Sequence, residues 1–182
     1  GDRRTALEWA PVNLDDLTRV LAAGESSARG AVEITDLAYD ADRVSPGAVF
    51  FCIPGSRVDG HDFAPHAVAA GAAALVVERP LALDVPQLLV EDTRVAMAVA
   101  ADSFFGQPTR SLEVAGVTGT NGKTTTAFLL RSVLTAAGRS TGLVGTVEWV
   151  VGGTTRPAPH TTPEAIDLQR LLRERVAARA TR

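Results

Sequence analysis

The only lysine of this chain lies in a glycine-rich segment, residues 116–126, which reads Gly-Val-Thr-Gly-Thr-Asn-Gly-Lys-Thr-Thr-Thr. The remaining 17 of the 18 basic residues are arginines, so Lys123 marks a place that requires a compact ammonium. A lysine acts on phosphate as a point charge on a slim stem, whereas the arginine fork is broad. The segment therefore predicts a site that binds the phosphates of a nucleotide.

The spacing of the glycines supports this interpretation. Gly119 and Gly122 permit positive φ and close backbone approach, so successive N–H groups and the start of a helix can face phosphate. The Thr124 hydroxyl is then placed for the Mg²⁺ ion that bridges the phosphates. The common phosphate-loop pattern has glycine where this chain has Val117, and the spacing here is G-x-x-G-x-x-G-K-T. The alternative is a glycine turn that joins a strand to a helix and binds no ligand.

Two elements must position this loop. Residues 112–117 are an apolar, β-branched run that predicts a buried parallel strand, and residues 124–137 carry apolar side chains at helical spacing. Strand, glycine turn and helix are the context that a phosphate loop requires. The other elements expected in this half are a strand at residues 141–144, a hairpin of residues 146–151 and 154–155 that turns at Gly152 and Gly153, and a helix over residues 163–180.

The first part of the chain alternates strands and helices. Asn13 can cap a helix with Asp15 and Asp16 in its first turn. The elements expected next are strands at residues 32–34 and 48–53, a helix at 63–70, strands at 74–77 and 87–90, and a helix at 95–105. This alternation predicts an α/β unit over residues 1–107, and a second unit over residues 108–182 after a linker-like segment.

The composition excludes several classes of protein. With 182 residues, 46% hydrophobic residues and a net charge of −3, the chain is an ordinary globular protein. Its arginines are scattered, which argues against a nucleic-acid surface, and no apolar run approaches the length of a membrane span. We therefore expect a cytoplasmic protein. The single cysteine, Cys52, lies in an apolar run and is expected to be buried, and three widely spaced histidines make no zinc site.

Both ends of the sequence predict a piece of a longer protein. Residue 1 is glycine and the only methionine is Met97, while the last expected helix stops without a glycine cap. A doubly wound nucleotide domain also needs more parallel strands than the second unit offers.

Three separated stretches together resemble the Mur ligases of bacterial peptidoglycan synthesis: residues 40–47 with 50–63, residues 116–126, and residues 160–169. The sequence G-T-N-G-K-T-T is shared by Mur and folylpolyglutamate ligases. The sequence T-T-P-E-A-x-D-L-Q points to the Mur ligases that add the third residue of the stem peptide.

The resemblance implies an α/β fold in which a small N-terminal UDP-sugar-binding domain, residues 1–107, precedes the start of a central ATP-binding domain with a P-loop, residues 108–182. It implies a monomeric ligase that uses ATP and Mg²⁺ to join an unspecified amino acid to UDP-N-acetylmuramoyl-L-Ala-D-Glu through an acyl phosphate. The rest of the central domain and a third domain would lie outside this chain, so we expect the chain alone to be inactive.

Site residues carried over from the resemblance form two groups. The expected ATP-binding residues are Gly119, Thr120, Asn121, Gly122, Lys123, Thr124 and Thr125, with Lys123 catalytic and Thr124 on the metal. The expected UDP-sugar contacts are Tyr39, Ala41, Ser56, Arg57 and Val58, and the muramoyl-peptide part is expected at His160, Thr161 and Thr162. The chain departs from the family where Asp-Ser-Arg is replaced by Asp40-Ala41-Asp42, and where the family often has Asn instead of His160.

Several of these residues have a structural alternative. Thr162 before Pro163 can cap a helix, and residues 56–60 can form a plain turn. His61 and His66 are expected to be packing or surface residues rather than ligands, and Arg170, Arg173, Arg175 and Arg179 are expected on a solvated helix face.

Two other functions stay open at the level of the whole protein. One is the Mur ligase that adds D-Ala-D-Ala, which shares the pattern of residues 58–63, although the Thr161-Thr162-Pro163 stretch argues against it. The other is a non-catalytic nucleotide-binding module.

Overall fold

The computed structural model describes residues 12–21, 32–55, 58–158 and 162–180. The chain divides into two compact units, residues 1–104 and residues 105–182, whereas the sequence analysis placed the division after residue 107. No helix within the described ranges is long and apolar enough to cross a membrane.

The first unit is built from alternating strands and helices. In chain order its elements are β1 (Val12–Asn13), α1 (Leu14–Leu21), β2 (Glu33–Ile34), β3 (Asp36–Ala38), β4 (Ala48–Phe51), α2 (Ala64–Ala69), β5 (Ala74–Val77), β6 (Gln87–Leu89) and α3 (Thr93–Phe104). Short 3₁₀ turns over Ala41–Arg43 and Gly60–Phe63 follow β3 and precede α2. The strand β1 pairs with β2 in an antiparallel ribbon.

Among the described residues of this unit, β3 to β6 form a parallel sheet whose spatial order is the order of the strands in the chain. Val49 of β4 pairs with Ala74 of β5, and Val76 of β5 pairs with Leu88 of β6. All residues of β4 and β5 are buried. Such continuous apolar runs are typical of parallel strands covered on both faces.

Helices cover the two faces of this sheet. Ala64 and Ala67 of α2 join Phe50 and Leu75 in one buried cluster. Helix α3 contacts β4 and β5, and α1 packs against α3. The Asp16 N–H donates to Asn13 Oδ1 at 2.8 Å, which confirms the expected helix cap.

The sequence predicts most of these elements but not the strands β1 and β3. The elements expected at residues 48–53, 74–77, 87–90 and 95–105 are present with slightly different ends. Strand β4 ends at Phe51, and Pro54, which has no N–H for a central ladder, follows closely. The missed strand β3 has only three residues and begins with Asp36, so it has no apolar run to reveal it.

The second unit contains α4 (Lys123–Ala136), β7 (Leu143–Val144), β8 (Glu148–Val151), β9 (Thr154–Pro157) and α5 (Ala165–Ala180). The strands β7, β8 and β9 form an antiparallel sheet. Gly152 and Gly153 have φ of 60° and 89° between β8 and β9, which confirms the expected hairpin turn. Trp149 and Val151 of β8 pack with Leu171 of α5 in a small buried cluster.

The prediction of a strand at residues 112–117 is wrong for this structure. These residues form no regular element, and the Val114 side chain is 60% exposed. A strand is stable only where a neighbour takes up its backbone hydrogen bonds, and none of the described strands lies beside this segment. A cavity of about 830 Å³ lies instead along residues 110–115 and 137–144.

The arginines of α5 do not form the solvated face that the sequence analysis expected. The Arg175 side chain is buried and donates from Nη2 to Ser140 O and Ser140 Oγ, both at 2.7 Å. The Arg170 guanidinium lies 5.2 Å from the centre of the Phe105 ring. The long apolar stems of arginine allow such burial when the charged ends find partners. The Arg179 side chain lies outside the described residues.

Candidate nucleotide and sugar-nucleotide sites

The glycine-rich loop of the second unit has the backbone that the sequence predicts. Gly122 has φ of 78° and ψ of −5°, in the left-handed region, and stands at the N-cap of α4. Gly119 has φ of 152°. These values favour glycine over a residue with a side chain. The loop thereby turns directly into α4, whose first N–H groups have no partner within the helix and can face an anion.

Lys123 is the first residue of α4 and folds back over the loop. Its Nζ donates to Gly119 O at 2.6 Å and to Thr120 O at 3.3 Å. The ammonium therefore lies above the turn, bound by carbonyl oxygens that phosphate oxygens could replace. The neighbouring candidates Thr120, Asn121 and Thr125 are exposed.

Two hydroxyl groups meet beside the start of α4. Thr124 Oγ1 lies 3.3 Å from Thr146 Oγ1, so a residue that follows β7 reaches the expected metal ligand. The sequence analysis did not include Thr146, because no motif marks it and 22 residues separate the two threonines. A lone threonine after a strand is a weak signal without the fold.

The donor set at Thr124 fits Mg²⁺. This ion prefers oxygen ligands and is often held by one or two protein groups together with phosphates and water. The described residues contain no cluster of three His, Cys, Asp or Glu side chains that could hold a metal by themselves. Hydroxyl oxygens beside a phosphate loop suit a metal that arrives with a nucleotide.

Three of the expected sugar-nucleotide residues, Tyr39, Ala41 and Val58, lie at one edge of the sheet of the first unit. Tyr39 and Ala41 follow β3, and Val58 lies in the loop after β4. Because β3 and β4 are neighbouring parallel strands, both segments emerge at the carboxyl edge of the sheet. This edge is where open α/β sheets bind ligands.

These residues differ in what they can offer a ligand. Val58 is 54% exposed, whereas the Ala41 methyl group is buried in the cluster around Phe50. A contact from Ala41 is thus limited to its backbone. Ser56, Arg57, His160 and Thr161 lie outside the described residues. Thr162 is described and exposed, and α5 begins at Ala165, so Thr162 does not cap this helix as the structural alternative expected.

A carboxylate follows Val58 at this edge. Asp59 Oδ1 accepts from the His61 backbone N–H at 2.9 Å, and Asp59 Oδ2 lies 2.8 Å from Arg79 Nη2. The backbone N–H and the ring of His61, followed by Arg79, hold the pKa of Asp59 well below its usual range. Cys52 lies nearby, and burial, with a smaller contribution from the Asp59 charge, raises the pKa of its thiol to about 12.

Comparisons with known proteins cover both units. Residues 33–105 match the family described as "Mur ligase family, catalytic domain", and residues 117–182 match the "Mur ligase middle domain". The UDP-N-acetylmuramoyl-L-alanyl-D-glutamate–2,6-diaminopimelate ligase of Geobacillus kaustophilus is 52% identical over 147 residues. That match covers 81% of this chain and 30% of the relative, so the chain spans about a third of such a protein.

Solved structures share the fold. A structure described as a UDP-N-acetylmuramoyl-L-alanyl-D-glutamate–2,6-diaminopimelate ligase has a TM-score of 0.68 at 21% identity, over 92% of this chain and 34% of that one. A UDP-N-acetylmuramoylalanyl-D-glutamyl-2,6-diaminopimelate–D-alanyl-D-alanyl ligase from Acinetobacter baumannii has a TM-score of 0.59 at 24% identity, over 93% of this chain and 35% of that one. At these identities the likeness concerns the fold alone. The sequence matches confirm the resemblance on which the site residues were chosen.

Proposed function

Because the chain belongs to the Mur ligase family, we propose that the protein containing it is an ATP-dependent ligase of peptidoglycan synthesis. It adds the third amino acid to UDP-N-acetylmuramoyl-L-alanyl-D-glutamate. The relative with 52% identity is named for 2,6-diaminopimelate, so this amino acid is the first candidate for the incoming group. The proposal includes the two domain roles, with the sugar nucleotide bound by the first unit and ATP by the second.

The observation that carries the proposal is the geometry at the start of α4. Gly122 turns the chain into the helix, and Lys123 Nζ lies 2.6 Å from Gly119 O above the loop. In the proposed complex, the backbone N–H groups of residues 119–125 bind the phosphates of ATP, and Lys123 neutralises the oxygens of the transferred group. Thr124 and Thr146, whose hydroxyl oxygens lie 3.3 Å apart, would supply protein oxygen atoms for the metal. Bound Mg²⁺ neutralises phosphate charge in this kind of reaction.

The proposed reaction has two steps. The γ-phosphoryl group passes from ATP to the substrate carboxylate, so that ADP leaves and an acyl phosphate forms. The amine of the incoming amino acid then attacks the acyl carbon, the carbon–oxygen bond to phosphate breaks, and the amine loses a proton as the amide forms. The protein contributes positioning and charge neutralisation, which dominate catalysis of phosphoryl transfer.

The sugar nucleotide is proposed to bind at the carboxyl edge of the parallel sheet. The proposed contacts among the described residues are Tyr39, the Ala41 backbone and Val58, and Ser56 and Arg57 belong to the same proposed set. His160, Thr161 and Thr162 are proposed contacts of the muramoyl-peptide part. The exposed position of Val58 and the shared edge of β3 and β4 support this assignment.

The test is ADP release by the full-length enzyme with ATP, Mg²⁺ and combinations of substrates. We expect turnover only when UDP-N-acetylmuramoyl-L-Ala-D-Glu and an amino acid are both present, with 2,6-diaminopimelate preferred over L-lysine. Turnover with UDP-N-acetylmuramoyl tripeptide and D-Ala-D-Ala would assign the other type of ligase. ATP binding without turnover under any combination would favour a non-catalytic nucleotide-binding module.

A further inference from the structure

A buried histidine joins the loop after β4 to the end of β5. The His61 side chain has no exposed surface. Its Nδ1 lies 2.6 Å from Asp59 Oδ1, and its Nε2 accepts from the Glu78 backbone N–H at 3.0 Å. Glu78 follows directly after β5, which is paired with β4. One imidazole ring therefore bridges the segments that leave two neighbouring strands.

These contacts determine the protonation state of the ring. Because Nε2 accepts a hydrogen bond from a backbone N–H, it carries no proton of its own. The ring proton is then on Nδ1 and is donated to the Asp59 carboxylate. The imidazole is neutral, and each of its nitrogens is paired inside the protein. Such a fully paired buried ring is rigid, since moving it would leave both partners without a hydrogen bond.

The loop that His61 holds is closed tightly at its base. Pro54 and Asp59 form an antiparallel bridge, and the Gly55 N–H donates to Val58 O at 3.0 Å. Gly60 approaches the backbone so closely that a Cβ atom there would lie 2.5 Å from Ile53 N. The exposed Val58 is thus fixed between a backbone clasp on one side and Asp59 on the other.

Asp59 depends on the ring for one of its three bonds. Its Oδ1 accepts from the backbone N–H and from Nδ1 of His61, and its Oδ2 pairs with Arg79. Arg79 is half exposed and follows β5, so it cannot hold the carboxylate as firmly as a buried group. Of the two side chains that bind the Asp59 carboxylate, the His61 ring is therefore the buried one.

We propose that His61 is a positioning residue of the sugar-nucleotide site, which fixes Asp59 and through it the position of Val58. This inference rests on the proposed function, because Val58 is a proposed contact of the uridine diphosphate. Small displacements of groups that bind a substrate cost affinity and rate even when the displaced group is distant from the chemistry. His61 itself touches no substrate.

Two substitutions in the full-length enzyme separate the two bonds of the ring. In His61→Gln the amide reaches the position of Nε2, so the Glu78 N–H keeps an acceptor while Asp59 loses its donor. In His61→Asn the amide lies near the position of Nδ1, so Asp59 keeps a donor while the Glu78 N–H loses its acceptor. His66→Gln is the matched control, because the His66 side chain is 58% exposed.

We expect His61→Gln to raise the KM for UDP-N-acetylmuramoyl-L-Ala-D-Glu about tenfold, the size of effect that loss of one hydrogen bond to a charged group gives. Its kcat and its KM for ATP should stay within about twofold of the parent. His61→Asn should keep the KM for the sugar nucleotide within about twofold and instead lower the melting temperature. His66→Gln should change none of these values.

Equal rises in this KM for both His61 variants, or no rise in His61→Gln, would show that the ring only fills space. A second measurement covers the case in which the variants do not fold. Nitrogen-15 spectra of the parent enzyme should show a protonated Nδ1 and an unprotonated Nε2, and the Nδ1–H resonance should shift when the sugar nucleotide is added. A protonated Nε2, or no shift at saturation, would overturn the inference. Absence of any turnover by the parent enzyme would instead refute the proposed function.

Discussion

The two units differ in how completely they bury their apolar residues. In the first unit, all residues of β4 and β5 are buried and helices lie on both faces of the sheet. In the second unit, α4 has no buried residue, and Leu129 and Val133 are 63% and 66% exposed. The glycine loop nevertheless has positive φ at Gly119 and Gly122 and leads directly into α4. A loop of this kind is therefore shaped by local residues, whereas the surrounding sheet depends on partners from further along a chain.

The largest effect should come from removing a buried ring of the first unit. Phe51 has no exposed surface, so Phe51→Ala should destabilise this unit by about 3–5 kcal/mol through lost burial and the cavity left behind. The matched variant Leu129→Ala in α4 should change the free energy of unfolding by less than about 0.5 kcal/mol, because Leu129 is 63% exposed. Urea unfolding combined with hydrogen exchange of peptides from each unit measures both.

If Leu129→Ala lowered the free energy of unfolding of the 182-residue chain by more than about 2 kcal/mol, α4 would be packed in solution. The difference in burial between the two units would then be contradicted. The same variant should also be measured in the full-length enzyme. If Leu129→Ala lowers the free energy of unfolding strongly in the full-length enzyme but only slightly in the 182-residue chain, further residues cover α4.

The next effect concerns Lys123, which lies in the glycine loop that local residues shape. Lys123→Ala in the full-length enzyme should lower turnover about a hundredfold or more, which corresponds to about 2.7 kcal/mol of transition-state stabilisation. Lys123→Arg should also be impaired, since the broad guanidinium cannot replace the ammonium above the turn. ADP release under saturating substrates measures both variants. Activity of Lys123→Ala within threefold of the parent would remove this residue from the mechanism.

A smaller effect is expected from acid. The pKa of Asp59 is lower in the folded state than its ordinary value of 3.8, so the folded state binds fewer protons than the unfolded state. This carboxylate therefore stabilises the first unit above about pH 4, and that contribution is lost as the pH falls further. Asp59→Asn should be less stable at pH 7 and should lose less stability between about pH 4 and pH 2. Urea unfolding at several pH values measures the difference, and parallel pH profiles for the two proteins would contradict it.

The smallest effect should be at Cys52. Burial raises the pKa of this thiol to about 12, so almost no thiolate is present at neutral pH. We expect a thiol reagent at about pH 8 to leave the folded protein unlabelled and to label it fully in urea. Stoichiometric labelling of the folded protein would show that the core of the first unit opens far more readily than its burial indicates.

Features that depend on neighbours in the chain could be predicted from the sequence, whereas features that depend on distant segments could not. The Asn13 cap, the turn at Gly152 and Gly153 and the glycine loop depend on neighbours in the chain, and the structure contains all of them. The segment 112–117 has the apolar pattern of a strand but no strand beside it among the described residues. Pattern indicates what a segment could form, and hydrogen-bond partners decide whether it does.

Contacts between side chains that are far apart in the chain could likewise not be predicted from the sequence. Arg175 binds Ser140, 35 residues away, and Thr146 meets Thr124. The motif that contains Asp59 and His61 was visible as part of the resemblance, but the acceptor role of Nε2 depends on Glu78, which β5 brings into place. Only the fold could show that this histidine is paired on both sides.

The strand order of the first unit has a consequence for how it is made. The strands β3, β4 and β5 each pair with the strand that follows them in the chain, so none of these pairings has to wait for a distant segment. Contacts between nearby segments form early, and chains emerge from the ribosome N-terminus first at about 5–20 residues per second. We expect this unit to reach protease resistance on the ribosome soon after β6 and α3 have emerged, while the glycine loop is still inside the exit tunnel. Limited proteolysis of stalled nascent chains of increasing length would reveal the length at which that protection begins.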